Sequence, residues 1–437
     1  MILYRGALYD HAAQDRILTE LESHINHTLA EKTLDAETVI AAIDALGKEI
    51  ASGAHDALLA SLLSNEPRRY KLLAAAMLSR ENLEWKLQTE LCHTSFCDNI
   101  VLSDRQPAIR SRMMPLGVLF HIAAGNMDGL PAYGLAEGLL TGNINILKLP
   151  QADSGLSLAV ISRLIAIEPA LADYITVFDT PSTDIHAMQR MAALADGISV
   201  WGGEAAVSAV RSLAPTGAKL IEWGHKLGFC YLANAQALNR ITAELTALAE
   251  HIAATRQLLC SSCQTIYLNT EDEADLHRFC ESFLPLLEAA VLAHRSGTVG
   301  ERAYLTLMHH TRYLEQLIGA PQNTADEYRK AGCSLTVCRD SELELSPMMC
   351  SVLVKRLPRE QIVPVLRRKK GLLQTAGIIC DPAERDTYAT LFARCGVTRI
   401  TTAGNMSAYF PGEAHDGEYA LRRYVRMVDM ERLTKSP

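Results

Sequence analysis

A regular alternation of short apolar runs with helical stretches, beginning near residue 115, constrains the fold of this 437-residue chain most strongly. The apolar runs are rich in β-branched residues and comprise 116–122, 144–149, 174–179, 197–201 and 218–222. Segments with apolar residues at helical spacing separate them. Strands that are apolar throughout and alternate with helices are typical of a parallel sheet covered by helices on both faces. We therefore predict an α/β fold for this part of the chain.

A second series of the same kind follows closer to the C-terminus. Its strand candidates are 264–268, 334–338, 351–357, 376–380 and 397–401. Residues 11–90, in contrast, show helical periodicity and no strand-like alternation. We therefore predict two parallel-sheet α/β domains, divided near residues 230–235, with a helical region ahead of them.

Charge and cysteine content narrow the class of protein. Lys and Arg total 42 against 50 for Asp and Glu, and this net charge of −8 argues against a general nucleic-acid binder. No apolar run reaches the roughly 20 residues of a membrane span, and the N-terminal segment lacks the pattern of a secretion signal, so we expect a cytoplasmic protein. The eleven cysteines are odd in number and scattered, which favours reduced thiols over a disulfide framework. Their spacing, without an accompanying histidine pattern, argues against a metal site.

Two polar residues follow predicted strands, at the edge where open α/β sheets bind ligands. Asn126 comes after the first strand, and a side-chain amide there can donate to a developing oxyanion. Lys148 ends the next strand, where an ammonium group can bind the ribose or phosphate of a nucleotide. Taken singly, an asparagine here is more often a turn former and a lysine more often a solvated surface charge.

Four further residues are suited to ligand binding or catalysis. Gly202 and Gly203 join a strand to a helix whose N-terminal amides can bind a diphosphate. The full G-x-G-x-x-G pattern is absent, and such a turn is as often a plain connection between two elements. Glu222 ends the following strand. Cys260 lies on a turn just before a strand, where nearby amides can stabilise a thiolate and make it nucleophilic. A lone cysteine, however, is more often a buried, inert residue.

Seven short motifs along the chain match a known family in their order and in their separations. They are P-L-G-V with A-x-G-N (115–126), E-G-L-L-T-G-N-x-N-I-L-K-L (137–149), W-G-G (201–203), G-H-K-L (224–227), Q-x-x-C-S-S (257–262), L-Q-T-A-G (373–377) and H-D-G (415–417). Together they resemble the aldehyde dehydrogenase superfamily and, within it, the LuxC-type acyl-thioester reductases. The resemblance spans roughly residues 110–420 and is far more specific than any single motif.

The resemblance implies an aldehyde dehydrogenase-like fold with two Rossmann-like α/β domains and a helical N-terminal region. The implied division is 1–110 for a mostly helical region of the cofactor domain, 111–232 for the dinucleotide-binding domain, 233–403 for the catalytic domain and 404–437 for a segment returning to the cofactor domain or an oligomer interface.

The catalytic residues of the family map onto three positions. The nucleophile corresponds to Cys260 rather than Cys263, because Gln257 stands three residues ahead of it as the pattern expects. Cys263 occupies a position where the branch often has proline, which leaves its role open. The resemblance assigns the oxyanion-binding amide to Asn126 and the superfamily's glutamate to Glu222.

The resemblance also implies a nicotinamide cofactor. Lys148 corresponds to the ribose-binding lysine, the two glycines of W-G-G lie near the diphosphate, and either Glu342 or Glu344 corresponds to the glutamate that binds the nicotinamide ribose. Many relatives that prefer NAD carry a carboxylate three residues beyond the lysine. Here that residue is Gln151, which would not repel a 2′-phosphate, so we predict that NADPH is preferred.

These assignments predict NADPH-dependent reduction of a fatty acyl thioester, from acyl-CoA or an acylated partner protein, to the aldehyde through an acyl-cysteine. The resemblance further implies an acyl-protein synthetase partner and a homo-oligomer. Two alternatives remain open. One is an aldehyde dehydrogenase that oxidises an aldehyde to the acid, with Glu222 activating water; the other is a non-catalytic scaffold partner of the synthetase.

Overall fold

The computed structural model describes residues 1–62, 67–92, 109–125, 129–151, 153–234, 238–294, 299–318, 324–410 and 412–431. Its strands are β1 (Ile2–Tyr4), β2 (Ala7–Tyr9), β3 (Ile109–Pro115), β4 (Val118–Ile122), β5 (Ile144–Lys148), β6 (Ile175–Phe178), β7 (Gly197–Trp201), β8 (Lys219–Trp223), β9 (Leu227–Leu232), β10 (Cys263–Leu268), β11 (Thr324–Lys330), β12 (Cys333–Cys338), β13 (Ser351–Arg356), β14 (Leu373–Ile379), β15 (Arg399–Thr402) and β16 (Val425–Glu431).

The α-helices cover most of the segments between these strands. They are α1 (Gln14–Glu31), α2 (Ala36–Ser52), α3 (Asp56–Leu62), α4 (Pro67–Met77), α5 (Arg80–Leu91), α6 (Leu130–Leu140), α7 (Leu156–Ile167), α8 (Ile185–Ala193), α9 (Glu204–Leu213), α10 (Thr242–Thr255), α11 (Glu273–Ala293), α12 (Val299–Leu317), α13 (Ile362–Leu366), α14 (Arg385–Cys395) and α15 (Ala420–Arg423). The chain divides into two compact units, Met1–Gly224 with Phe410–Pro437, and His225–Tyr409.

The N-terminal helices of the first unit form as their sequence predicts. Helix α2 begins after Asp35, whose carboxylate accepts a hydrogen bond from the Thr38 amide, and ends at Gly53 in the left-handed conformation that glycine tolerates. Its apolar residues at helical spacing are buried in the core of this unit. The sequence pattern did not predict the hairpin of β1 and β2 that precedes these helices.

The first unit contains a seven-stranded sheet in the order β2-β1-β6-β5-β4-β7-β8. Strands β4 to β8 are parallel, whereas β1 pairs antiparallel with β6. The chain runs outwards from β4 through β5 to β6 and then returns to β7 on the other side of β4. In such a sheet, ligands bind where the strand order reverses, outside the carboxyl ends of β4 and β7.

The second unit contains another seven-stranded sheet, in the order β11-β12-β13-β10-β9-β14-β15. All its strands are parallel except β11, which pairs antiparallel with β12. The apolar strands β9, β10 and β14 are buried along their whole length. The pairing of β9 shifts in register on both sides, between Cys263 and Thr265 of β10 and between Leu373 and Ala376 of β14.

The C-terminal segment contributes to the first unit. Strand β16 pairs antiparallel with β3 over seven residues, from Val425 opposite Pro115 to Glu431 opposite Ile109. The amide of Leu421 donates to the buried carboxylate of Glu90 in α5, which fixes the short helix α15. Among the described residues, no helix is both long and apolar enough to cross a membrane.

Candidate active site

Cys260 lies on a turn between α10 and β10 in the second unit. After α10 ends, Arg256 and Gln257 adopt left-handed backbone conformations, with φ of 51° and 62°, and reverse the direction of the chain. The turn closes because the Leu259 amide donates to the Ser262 hydroxyl at 3.1 Å, and the Ser262 amide donates to the Leu259 carbonyl at 3.0 Å. Two successive non-glycine residues in this region are rarely tolerated without strong support from their surroundings.

That support comes from buried amide side chains. The Gln257 side chain donates to the Cys263 carbonyl at 2.8 Å and to the Ser346 hydroxyl at 3.0 Å. Gln264 donates back to the Gln257 carbonyl at 2.9 Å and accepts a hydrogen bond from the Ser346 hydroxyl at 2.7 Å. The glutamine of the Q-x-x-C motif therefore fixes the shape of the turn. Sequence reasoning did not identify Gln264 or Ser346, because Ser346 joins the two glutamines from 82 and 89 positions away along the chain.

A glycine lets this turn lie directly against the sheet. Gly228 of β9 is paired with Cys263, and a Cβ atom at Gly228 would lie 2.5 Å from the Ser262 carbonyl oxygen. No L-residue fits at that distance without displacing the backbone of the turn. The Ser261 hydroxyl also lies 2.7 Å from the Ser407 hydroxyl, in the segment that follows β15.

The two thiols of C-S-S-C occupy different surroundings. Cys263 is completely buried at the start of β10, and burial raises the pKa of its thiol to about 12. Its S–H group donates to the Thr265 carbonyl. Cys260 is only partly buried, and its sulfur accepts a hydrogen bond from the Gln374 side chain at 3.3 Å. None of the cysteines in the described part of the chain is in a disulfide, and no group of three or more ligating side chains there could hold a metal ion.

Lys148 lies in the first unit at the carboxyl end of β5. Its side chain is buried, and its ammonium group donates to the Ser182 hydroxyl at 2.8 Å. Burial lowers the pKa of this ammonium group. Gln151, three residues further on, is exposed. Lys148 thus stands beside the edge where the strand order reverses, with a hydroxyl group already bound to it.

Gly202 and Gly203 connect β7 to α9 at the same edge. A Cβ atom at Gly202 would lie 2.9 Å from the Cβ of Ala206, so glycine allows the helix to begin close to the strand. The space beside Gly203 is open, and this residue directly precedes the ten-residue helix α9. The preceding Trp201 stacks on Trp223 with ring centroids 5.2 Å apart. An open helix N-terminus at this place suits a diphosphate.

The structure gives Glu222 a partner that sequence reasoning missed. At the end of β8, its two carboxylate oxygens bind the guanidinium of Arg211 in α9, at 2.5 and 2.6 Å. These hydrogen bonds hold the pKa of the Glu222 carboxyl below its usual range. No local sequence signal marks Arg211, because eleven positions and a change of element separate the two residues. The position of Asn126 lies outside the described residues.

Both candidate ribose-binding glutamates are paired with lysines of their own unit. Glu342 contacts the Lys369 ammonium group at 2.5 Å, and this hydrogen bond lowers the pKa of the Glu342 carboxyl. Glu344 contacts Lys355 at 2.5 Å, and Lys355 is completely buried. Ribose binding by either glutamate would compete with its lysine.

Comparison with solved structures defines the class of fold. Aldehyde dehydrogenase 21 from Physcomitrella patens superposes with a TM-score of 0.70 at 11% identity, covering 98% of this chain and 92% of that one. An NAD-dependent benzaldehyde dehydrogenase from Corynebacterium glutamicum gives a TM-score of 0.67 at 14% identity, covering 96% and 90% of the two chains. The predicted aldehyde dehydrogenase-like fold, with two parallel-sheet α/β units, is therefore confirmed.

Sequence comparison defines the family to which the chain belongs. The family model described as acyl-CoA reductase (LuxC) matches residues 32–427, so the chain belongs to the LuxC family. Long-chain acyl-protein thioester reductases from Aliivibrio fischeri and Photorhabdus luminescens are 26% and 25% identical over 328 and 331 residues. Each alignment covers 74% of this chain but only 65% of the relative, so the chain matches less than two thirds of the relatives' length.

Proposed function

We propose that this protein reduces a fatty acyl thioester to the aldehyde through an acyl-cysteine on Cys260, with NADPH as the reductant. Membership of the LuxC family supports the reaction class. The observation that carries the assignment is the contrast between the two neighbouring thiols: Cys260 is partly accessible on a fixed turn, whereas Cys263 is buried with a pKa of about 12. A thiol that remains protonated and enclosed cannot attack a substrate.

The first step is acyl transfer to Cys260. Its thiolate attacks the thioester carbonyl, a new carbon–sulfur bond forms, and the donor thiol of coenzyme A or a partner protein departs as a thiolate. Because one thioester replaces another, the site has mainly to place the reacting groups and stabilise the oxyanion. We assign the oxyanion contacts to the Asn126 amide and the Cys260 backbone N–H; losing one such donor typically costs about 3 kcal/mol.

The carboxyl edge of the first unit suits a nicotinamide dinucleotide. We assign its ribose to Lys148, its diphosphate to the region of Gly202 and Gly203, and a further ribose contact to Glu342 or Glu344. The buried ammonium group with its hydroxyl partner and the open helix N-terminus support this assignment. Gln151 adds no negative charge, which favours a 2′-phosphate. When bound, NADPH would supply the hydride that reduces the acyl group.

The surroundings of Glu222 favour reduction over hydrolysis. Oxidation to a free acid requires a base that activates water against the acyl-enzyme. The Glu222 carboxylate is bound at both oxygens by Arg211, and its pKa lies below the usual range. A carboxylate held in this way is a weak base. We therefore propose that Glu222 does not activate water while the acyl group is on Cys260.

Labelling tests the proposal directly. The wild-type protein is incubated with a radiolabelled long-chain acyl-CoA, the protein-bound label is counted, and NADPH is added. We expect label on the wild type and on Cys263→Ala, release of that label as aldehyde with NADPH, and no label on Cys260→Ala. Label retained by Cys260→Ala would contradict the assigned nucleophile, and release as free acid would contradict reduction.

The acyl donor is the remaining part of the proposal. We expect activity with long-chain acyl-CoA and, more strongly, with an acylated protein, as the names of the relatives suggest. From the family resemblance, we propose that the acylated protein is an acyl-protein synthetase partner. Aldehyde formation across an acyl-CoA length series gives the preferred chain length. Conversion of aldehyde and NADP⁺ to acid without coenzyme A would instead favour an oxidising dehydrogenase.

A further inference from the structure

The buried residue Gln374 contacts the sulfur of Cys260, which is the nucleophile in the proposed function. The Gln374 side-chain nitrogen lies 3.3 Å from the Cys260 sulfur, and both residues belong to the second unit. Gln374 is only 5% exposed. Sequence reasoning noted the L-Q-T-A-G motif that contains this residue but gave the residue no role.

An irregularity of the sheet brings Gln374 to this place. The register of β14 against β9 shifts between Leu373 and Ala376, so Gln374 and Thr375 lie outside the regular pairing with β9. The Gln374 carbonyl accepts hydrogen bonds from the Thr398 amide at 3.1 Å and from its hydroxyl at 3.3 Å. Extra residues of this kind bend a strand and redirect a side chain, and they occur often near functional sites.

The orientation of the Gln374 amide is also fixed. Its oxygen accepts a hydrogen bond from the Thr375 hydroxyl at 3.3 Å, which leaves the NH₂ group directed at the Cys260 sulfur. An N–H donor favours the charged form of the group that accepts from it. A neutral amide stabilises a thiolate in this way without removing its charge, unlike a histidine that would exchange a proton with it.

We propose that Gln374 is the hydrogen-bond donor that stabilises the Cys260 thiolate before acyl transfer. In terms of the proposed function, it assists a second time when the aldehyde forms. Hydride addition to the acyl carbon, with uptake of a proton from water by its oxygen, would leave a thiohemiacetal on Cys260. Its carbon–sulfur bond then breaks, the electron pair returns to the Cys260 sulfur, the hydroxyl proton passes to water, and the Gln374 N–H group again faces a thiolate. Gln374 itself neither gains nor loses a proton.

Alkylation of the full-length protein tests this role without substrate or cofactor. Modification of Cys260 by iodoacetamide is followed by mass spectrometry across pH for the wild type, Gln374→Leu and Gln374→Glu. We expect Gln374→Leu to react roughly tenfold more slowly at pH 7, with the midpoint of its rate–pH curve about one unit higher, since a hydrogen bond to a charged group is lost. Gln374→Glu should be slower still at pH 7, because its carboxylate repels the thiolate.

Thr398→Val is the matched control. It removes a hydrogen bond to the backbone of Gln374 but keeps the amide beside the sulfur, so its alkylation profile should match that of the wild type. If Gln374→Leu fails to fold, judged by thermal unfolding, the isosteric Gln374→Glu decides alone. A wild-type profile for either folded Gln374 variant, or an equal shift in Thr398→Val, would overturn the proposal.

The outcome is separable from that of the proposed function. If the wild type reduces no acyl thioester while alkylation still depends on Gln374, the reaction assignment fails and the hydrogen-bonding role stands. If the wild type reduces acyl thioesters but alkylation does not depend on Gln374, the reaction assignment stands and the hydrogen-bonding role fails.

Discussion

The proposed cofactor residues of the first sheet and the proposed nucleophile of the second sheet lie at opposite ends of their strands. In the first unit, Lys148 and the glycines after β7 follow the carboxyl ends of parallel strands. In the second unit, Cys260 precedes the amino end of β10, and Gln374 lies near the amino end of β14. The first arrangement is the general one for ligand binding in α/β sheets. The second depends on a particular turn held by buried glutamines.

This difference predicts how each site responds to substitution. A carboxyl-edge site uses strand ends and a helix N-terminus that the fold provides in any case, so single substitutions should weaken binding without disturbing the sheet. The cysteine turn depends on close packing against β9, so a single added atom should displace it. Substitutions at each site test this contrast.

We expect the largest effect from Gly228→Ala. The new Cβ atom would lie 2.5 Å from the Ser262 carbonyl and push the turn away from the sheet. Displacement of a nucleophile by about 1 Å can cost roughly a hundredfold in rate, and overpacking typically costs about 1–3 kcal/mol of stability. Cys260 acylation and thermal unfolding measure these two effects. Gly224→Ala, where the space is open, should change neither, and wild-type acylation of Gly228→Ala would refute the packing argument.

Lys148→Met should weaken cofactor binding and leave the cysteine turn intact. Loss of a charge-assisted hydrogen bond at the carboxyl end of β5 should raise the dissociation constant for NADPH roughly ten- to hundredfold. Fluorescence titration measures binding, and alkylation of Cys260 serves as the control for the second unit. Slower alkylation in Lys148→Met would show that the two sites are not independent.

Gln151→Glu should change the choice of cofactor. A carboxylate at this exposed position repels the 2′-phosphate, so the ratio of kcat/KM for NADPH to that for NADH should fall roughly tenfold. Gln151→Asn, which adds no charge, should keep the wild-type ratio. A tenfold preference of the wild type for NADH would contradict the proposed role of this position.

Arg211→Met should have the smallest effect. Without Arg211 the pKa of Glu222 rises towards its usual value, so hydrolysis of the acyl-enzyme without NADPH should increase two- to fivefold, and adding Glu222→Gln should remove the increase. Arg211 is 63% exposed, so solvent screens the ion pair and its contribution to stability is small. Because folding lowers the pKa of Glu222, that contribution is present at neutral pH and is lost as the pH falls through the lowered value. Equal hydrolysis in wild type and Arg211→Met would argue against suppression of a base.

The local sequence predicted the regular elements well. The apolar runs at 144–149 and 264–268 became β5 and β10, because strands buried on both faces need continuous apolar sequence. The strand β9 was missed, since Leu227–Leu232 includes a glycine and a cysteine and follows β8 after only three residues. Strands β3 and β16 were also missed, because each is recognisable only through its partner about 300 residues away.

For the site, the motif order made Cys260 and Lys148 candidates, and the structure places them on a turn and at a strand end, as the sequence predicts. It did not identify the partners that set their chemistry. The Arg211 guanidinium on Glu222, the lysines on Glu342 and Glu344, and the Gln374 amide on Cys260 all come from other elements.

The sequence by itself therefore determined the class of fold, the family and the candidate site residues, because periodicity and motif order can be read along the chain without knowledge of its tertiary contacts. Only the tertiary structure decided which of two cysteines three positions apart is enclosed and which carboxylates are already paired. Burial and hydrogen bonding depend on residues that folding brings together from distant parts of the chain, and these contacts set the charge and reactivity of each group.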